Sequence, residues 1–143
     1  MKRPALSEVD AVSQVRAIYR ELEARPVERA CERVGECCHF KLTGRTPFLT
    51  AGEALVAAKA LRATGRTRLP ARADGACPLL APDGRCLVYD SRPFSCRTHF
   101  CPAAGGPYAR REVSDLIHRL EAVGHALGSD SARPLPAAVQ QAL

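Results

Sequence analysis

Residues 30–40 read ACERVGECCHF and hold three of the chain's seven cysteines, with His39 directly after them. The other four cysteines follow further along, and no cysteine precedes residue 31 or follows residue 101. Cysteines gathered in this way are typical of metal ligands or disulfide partners. We therefore expect a cysteine-bound core over residues 31–101, with helices before and after it.

The composition is that of one small globular domain, which we expect to span residues 1–143. Hydrophobic residues make up 46% of the chain, which argues against bulk disorder. Aromatic residues are only 5%, and Trp is absent. A core built mostly from Ala, Leu and Val fills poorly, so a metal that ties the chain together would add useful stability.

The net charge of +6 raises the question of an anionic partner such as nucleic acid or a membrane surface. The basic residues are scattered rather than clustered, and four thiolates around one divalent ion contribute a charge of about −2. We therefore expect a metal ion, and not nucleic acid, as the partner.

The N-terminal sequence MKRPALSEVD has a basic start but no apolar run after it. We predict neither a signal peptide nor a membrane span, and a bacterial-type cytoplasmic location. In a reducing cytosol, this cysteine pattern favours metal or redox chemistry over structural disulfides. The odd number of cysteines points the same way, because seven cannot all pair within one chain.

Hydrophobic periodicity and capping signals predict three helices. Ser7 and Asp10 form an S-x-x-D start for a helix over 8–25, which Pro26 ends. The sequence TAGE at 50–53 is a capping box for a second helix over 51–64. Apolar residues three or four apart predict a third helix over 110–127, and residues 136–143 add one or two helical turns.

The cysteines of the second half lie beside turn signals. The sequence PDG at 82–84 separates two short apolar runs, which predicts a β-hairpin with Cys77 and Cys86 on its arms. Another turn at 91–93 leads to Cys96 and Cys101. The predicted fold class is mainly α, a small single domain of about three helices around a Cys-rich, turn-rich metal-binding core with a short β-hairpin.

Four cysteines suit a metal site, because zinc takes four Cys or His ligands and an iron–sulfur cluster usually takes four thiolates. The adjacent Cys37 and Cys38 are less simple, since neighbouring side chains point to opposite faces of extended backbone. Either the turn after Gly35 brings them together, or they serve two sites, or one is buried as a small apolar residue.

The cysteine pattern resembles a bacterial cysteine-cluster family often called YkgJ, whose members are expected to chelate zinc or iron. The resemblance rests on C-x-x-x-G-x-C-C from residue 31 and on CPLL…GRCLVYDSRPFSCRTHFC, and it covers roughly residues 31–101. It implies that all the cysteines chelate metal, namely Cys31, Cys37, Cys38, Cys77, Cys86, Cys96 and Cys101. A related cluster in flagellin lysine methylases keeps an enzymatic role open.

The chain departs from the usual family pattern C-x-x-C-G-x-C-C at Val34, which stands where the second cysteine belongs. Seven of the eight expected thiols remain. If the family has two four-ligand sites, this protein fills one and leaves the other a ligand short, unless His39 or His99 substitutes. Because Cys31 lacks its near partner, we expect it to be the weakest ligand.

Several other polar residues are candidates for roles around the metal. His118, Glu121 and His125 share one face of the third predicted helix, which we interpret as a solvated polar face rather than an ion site. Arg92 and Arg97 are candidates to donate hydrogen bonds to cluster thiolates. The alternative for these two arginines is a surface ion pair with Asp90 or Asp83.

The biochemical activity that we predict is metal binding, with zinc favoured over iron or an iron–sulfur cluster. Two alternatives stay open. One is a metalloenzyme, or an accessory to a protein-modifying, methyltransferase-like enzyme. The other is a redox-sensing thiol protein. The sequence contains no phosphate-binding glycine loop and no nucleotide or S-adenosylmethionine signature.

Overall fold

A computed structural model describes residues 5–25, 46–70, 74–98 and 109–143 of the chain. Over these ranges the protein is mainly helical with one small antiparallel sheet, which confirms the predicted fold class. In chain order the elements are α1 (Glu8–Ala24), β1 (Phe48–Leu49), α2 (Ala51–Ala63), a 3₁₀ helix (Tyr89–Ser91), α3 (Phe94–Thr98), α4 (Arg110–Ala126), β2 (Arg133–Pro134) and α5 (Leu135–Ala142).

The helices begin where the capping signals place them. The Asp10 N–H donates to the Ser7 hydroxyl at 3.1 Å, which starts α1. Thr50 and Glu53 form the predicted reciprocal capping box at the start of α2. Gly65 follows α2 with a φ of 90°, a left-handed conformation that glycine adopts at little cost. The predicted bounds of these helices are therefore confirmed to within one or two residues.

The predicted apolar faces of α1 and α4 pack against each other and against Val56 of α2, together with Phe94. On α1 the buried face consists of Ala11, Val12, Val15, Ile18, Tyr19 and Leu22. On α4 the buried side chains are those of Val113, Leu116, Leu120 and Val123.

The other face of α2 contributes to a second apolar cluster, which also contains residues from the 76–88 segment and from α5. Helix α2 therefore lies between both clusters and connects them. Gly52 allows α2 to approach α1 and α4 closely, because a Cβ at this position would lie 2.8 Å from methyl groups of both Val15 and Val123.

The small sheet joins the start of α2 to the start of α5. Phe48 lies opposite Pro134 and Leu49 lies opposite Arg133. Each strand directly precedes one of those helices, so the pairing brings the two helix starts together. The sequence does not predict this sheet, because strands of two residues are too short to show a hydrophobic period.

The predicted β-hairpin is reduced to a single bridge between Leu80 and Cys86. Cys86 lies on an arm as predicted, but Cys77 does not. The Leu80 N–H donates to the Cys77 carbonyl at 3.0 Å, so it closes a local turn instead of extending a ladder. Pro78 also has no N–H to contribute to a ladder.

None of the helices in the described ranges combines the length and the apolar character that crossing a bilayer requires.

Candidate metal centre

Three of the seven predicted ligands lie in the part of the chain that the structure describes: Cys77, Cys86 and Cys96. All three are found between the end of α2 and the end of α3. The remaining predicted ligands and the two nearby histidines lie outside the described residues, namely Cys31, Cys37, Cys38, His39, His99 and Cys101.

A tight turn at residues 81–85 connects the segment that contains Cys77 to Cys86. Backbone hydrogen bonds of 2.7 and 2.8 Å flank the bridge between Leu80 and Cys86. Gly84 has a φ of 86°, which this turn requires and which glycine adopts without strain. Because the Cys77 carbonyl accepts from Leu80, one local turn separates Cys77 from the residue that pairs with Cys86.

Cys77 is only 4% exposed, and Cys86 is half-buried against the same apolar cluster. A thiolate in apolar surroundings is costly unless a cation neutralises it. Cys77 is therefore either a metal-bound thiolate or a neutral thiol packed as a small apolar residue. These two possibilities predict different effects of substitution.

Cys96 lies on α3, a helix of five residues whose first N–H bonds to the buried carboxylate of Glu53. The N–H of Phe94, the first residue of α3, donates to Glu53 Oε1 at 2.6 Å. The Tyr19 hydroxyl donates to the same oxygen at 3.0 Å, and the Thr50 N–H donates to Oε2 at 3.1 Å. Burial raises the pKa of Glu53, while the hydrogen bonds from Phe94, Thr50 and Tyr19 lower it.

Arg97, directly after Cys96, is 6% exposed and bonds to the backbone ahead of α3. Its Nε donates to the Arg92 carbonyl at 2.6 Å, and its Nη2 donates to the Asp90 carbonyl at 2.8 Å. Its Nη1 pairs with Glu23 of α1. The guanidinium carbon lies 4.2 Å from the centre of the Tyr19 ring.

These contacts correct the predicted ion pair of Arg97 with Asp90 or Asp83. The acidic partner of Arg97 is Glu23, and Asp90 contributes its backbone carbonyl rather than its carboxylate. Arg92 donates from Nε to the Tyr89 carbonyl at 3.0 Å and lies over the Tyr89 ring. Burial lowers the pKa of Arg97, while Glu23 and Tyr19 raise it.

His118, Glu121 and His125 are exposed, as the interpretation of a solvated face predicts. Within the four described ranges, no three His, Cys, Asp or Glu side chains come together in a way that could hold a metal ion. The structure therefore does not bring Cys77, Cys86 and Cys96 together as one group of ligands.

Sequence reasoning assigned Glu53 to a helix cap and Tyr19 to an apolar face, and missed that they bond to each other in the interior. One signal for this pair was present. A tyrosine on an otherwise apolar helix face needs a buried partner for its hydroxyl.

Residues 30–115 match the model of a family named CxxCxxCC and described as a putative zinc- or iron-chelating domain. No curated protein and no solved structure matches the chain. The matched region includes all seven cysteines, and Val34 occupies the second cysteine position of the pattern in the family's name. The match covers more than half of the chain and confirms the resemblance drawn from the cysteine pattern. The protein belongs to the CxxCxxCC family of putative zinc- or iron-chelating domains.

Proposed function

We propose that this protein binds a metal ion through cysteine thiolates, with zinc as the favoured metal and iron or an iron–sulfur cluster as the alternative. The observation that carries this proposal is the family match, because residues 30–115 include every cysteine of the chain. The proposed ligands are Cys31, Cys37, Cys38, Cys77, Cys86, Cys96 and Cys101.

The chemistry of the donors suits this proposal. Thiolates select zinc and iron–sulfur clusters, whereas magnesium and calcium take oxygen ligands. The described cysteines offer sulfur at three positions on one short segment, and Cys86 and Cys96 are partly exposed. Metal binding would release the thiol protons, so uptake of metal should be weaker at low pH.

The number of thiols fits one complete site, either for zinc or for an iron–sulfur cluster, since each takes four thiolates. Seven thiols are enough for one four-thiolate site with three thiols left over. We propose Cys77, Cys86, Cys96 and Cys101 as the complete site, because they lie in the run that best matches the family pattern. The structure does not group the three described cysteines, so metal binding would have to draw them together. A closed four-thiolate site is typical of structural zinc.

The test is the metal content of full-length protein purified without oxygen. We expect colourless protein with bound zinc, and serine in place of any of those four cysteines should remove much of the metal. The matched controls are His118→Ala and His125→Ala on the exposed face of α4, which should keep it. A brown preparation would indicate an iron–sulfur cluster.

Loss of metal in the histidine variants, with none in the cysteine variants, would refute the site. Metal-free wild-type protein that forms disulfides reversibly would instead favour the redox alternative.

Cys77 needs a separate comparison because of its burial. If Cys77 is a ligand, both Cys77→Ser and Cys77→Ala lose metal. If it is only a packed apolar residue, Cys77→Ala keeps the metal, and Cys77→Ser mainly lowers the stability by burying a hydroxyl. Metal per protein and the melting temperature of both variants separate these cases.

A further inference from the structure

We infer that Glu53 and Arg97 are positioning residues for Cys96, and that they hold its helix in place for metal binding. This inference rests on the proposed function, in which Cys96 is a ligand. Neither residue is offered as a ligand itself. The cluster that they form with Tyr19, Phe94 and Glu23 is called the α3 anchor below.

Helix α3 is too short to hold its position by itself. Isolated helices shorter than about 12 residues are not stable in water. A helix of five residues, Phe94–Thr98, must therefore take its position from contacts with the rest of the protein. The location of the Cys96 sulfur depends on those contacts.

The anchor holds α3 on both sides of Cys96. Two residues before it, the Phe94 N–H is bonded to the Glu53 carboxylate at 2.6 Å. One residue after it, the Arg97 side chain is tied to the carbonyls of Asp90 and Arg92. The backbone that carries Cys96 is thus fixed to α2 and to the preceding turn.

Tyr19 contacts both Glu53 and Arg97 and so connects the two sides of the anchor. Its hydroxyl donates to Glu53 at 3.0 Å, and its ring lies under the Arg97 guanidinium at 4.2 Å. Glu23, one turn further along α1, pairs with Arg97. The anchor is therefore one continuous set of contacts from α1 through α2 to α3.

The hydrogen bonds of the anchor are satisfied, and its residues are buried except Glu23, whose side chain is 59% exposed. Glu53 and Arg97 are 3% and 6% exposed. In the described part of the chain, no buried side-chain nitrogen or oxygen lacks a hydrogen-bond partner. A fully satisfied buried network rigidifies one arrangement, whereas an apolar contact would leave α3 free to slide. A ligand that is already in place loses less freedom when metal binds, and the affinity rises accordingly.

The experiment measures zinc affinity of the full chain by competition with a chromophoric chelator, and the visible spectrum of the cobalt-loaded protein. Residues that orient metal ligands typically change affinity by about 10- to 100-fold. We expect Glu53→Ala and Arg97→Lys each to weaken zinc binding by about tenfold and to change the cobalt spectrum. Glu53→Gln should restore most of the affinity, because its amide oxygen can still accept from Phe94 and Tyr19.

The matched control is Ser7→Ala, which removes the side-chain cap of α1 and touches no residue of the α3 anchor. It should lower the melting temperature without changing zinc affinity. If it weakens zinc binding as much as Glu53→Ala does, the effect is general destabilisation and the inference is wrong. Should Glu53→Ala fail to fold, Tyr19→Phe replaces it, and wild-type affinity with an unchanged cobalt spectrum in that variant also overturns the inference.

Cys96→Ser separates this inference from the proposed function. If Cys96→Ser binds zinc as the wild type does, Cys96 is not a ligand, and the site assignment and the inference both fail. If Cys96→Ser loses zinc while the Glu53 and Arg97 variants bind normally, only the inference fails. Loss of zinc in Cys96→Ser together with weakened binding in the anchor variants supports both.

Discussion

Replacing Tyr19 by Phe removes one oxygen atom from the interior and leaves the ring in place. Tyr19 is 3% exposed, and its hydroxyl donates a 3.0 Å hydrogen bond to Glu53, which is equally buried. Burial, and then the charge of Glu53, raise the pKa of Tyr19 well above its ordinary value. The phenol therefore keeps its proton over the accessible pH range and acts as a donor throughout.

The expected cost depends on the charge of Glu53. A hydrogen bond to a charged group contributes about 1.5–3 kcal/mol, whereas a bond between neutral groups contributes about 0.5–1.5 kcal/mol. We therefore expect Tyr19→Phe to lower the free energy of unfolding by about 2 kcal/mol where Glu53 is ionised. Where Glu53 is protonated, we expect a loss of about 1 kcal/mol.

The direction of the pH dependence follows from the pKa of Glu53. Burial raises this pKa in the folded state, so the stability linked to Glu53 is fully present below its unfolded pKa of about 4.3. That stability is lost as the pH rises through the folded pKa. The bond from Tyr19 lowers the folded pKa, so Tyr19→Phe raises it further and increases the loss. The cost of the substitution should grow as the pH rises.

The assay is urea unfolding of the wild type, Tyr19→Phe, Glu53→Gln and the double variant at about pH 4 and about pH 8. All four proteins are stripped of metal with a chelator first, so that differences in metal affinity between the variants do not enter the double-mutant cycle. With Gln at position 53, the cost of losing the hydroxyl should be that of a bond between neutral groups, about 1 kcal/mol at both pH values. An equal cost at both pH values when Glu53 is present would refute the reasoning.

Three further predictions concern packing and metal. Gly52→Ala should lower the free energy of unfolding by about 1 kcal/mol, because overpacking costs about 1–3 kcal/mol and exceeds the gain in helix propensity. Gly124→Ala should not lower it, because the new Cβ would meet its neighbours only at 3.8 Å. Urea unfolding of both variants tests this. Removing the metal with a strong chelator should lower the melting temperature sharply, since structural zinc contributes on the order of 10 kcal/mol, and an unchanged melt after confirmed removal would contradict this. Cys31→Ser should keep most of the metal, and Cys38→Ser should lose the metal that is bound outside the site of Cys77, Cys86, Cys96 and Cys101. Val34→Cys should raise the metal per protein. Equal losses in the Cys31 and Cys38 variants would show that Cys31 is a full ligand.

The sequence alone determined the long helices α1, α2 and α4 and the family, but it did not predict α3. Ser7 and the capping box at 50–53 mark helix starts correctly, because a cap joins residues that are three positions apart. The apolar faces of α1 and α4 follow equally from local periodicity. The cysteine spacing identified the family for the same reason, since it is a property of the linear chain.

Only the tertiary structure decided where the polar side chains bond. Glu53 was correctly assigned to a cap, but its contact with Tyr19 joins positions 34 residues apart, and the partner of Arg97 lies 74 residues away on α1. The predicted hairpin became one bridge, and the sheet formed instead between strands preceding α2 and α5. These outcomes depend on how the helices pack around α2, which brings distant residues together and removes water from between them. Neighbouring residues alone carry no record of that packing.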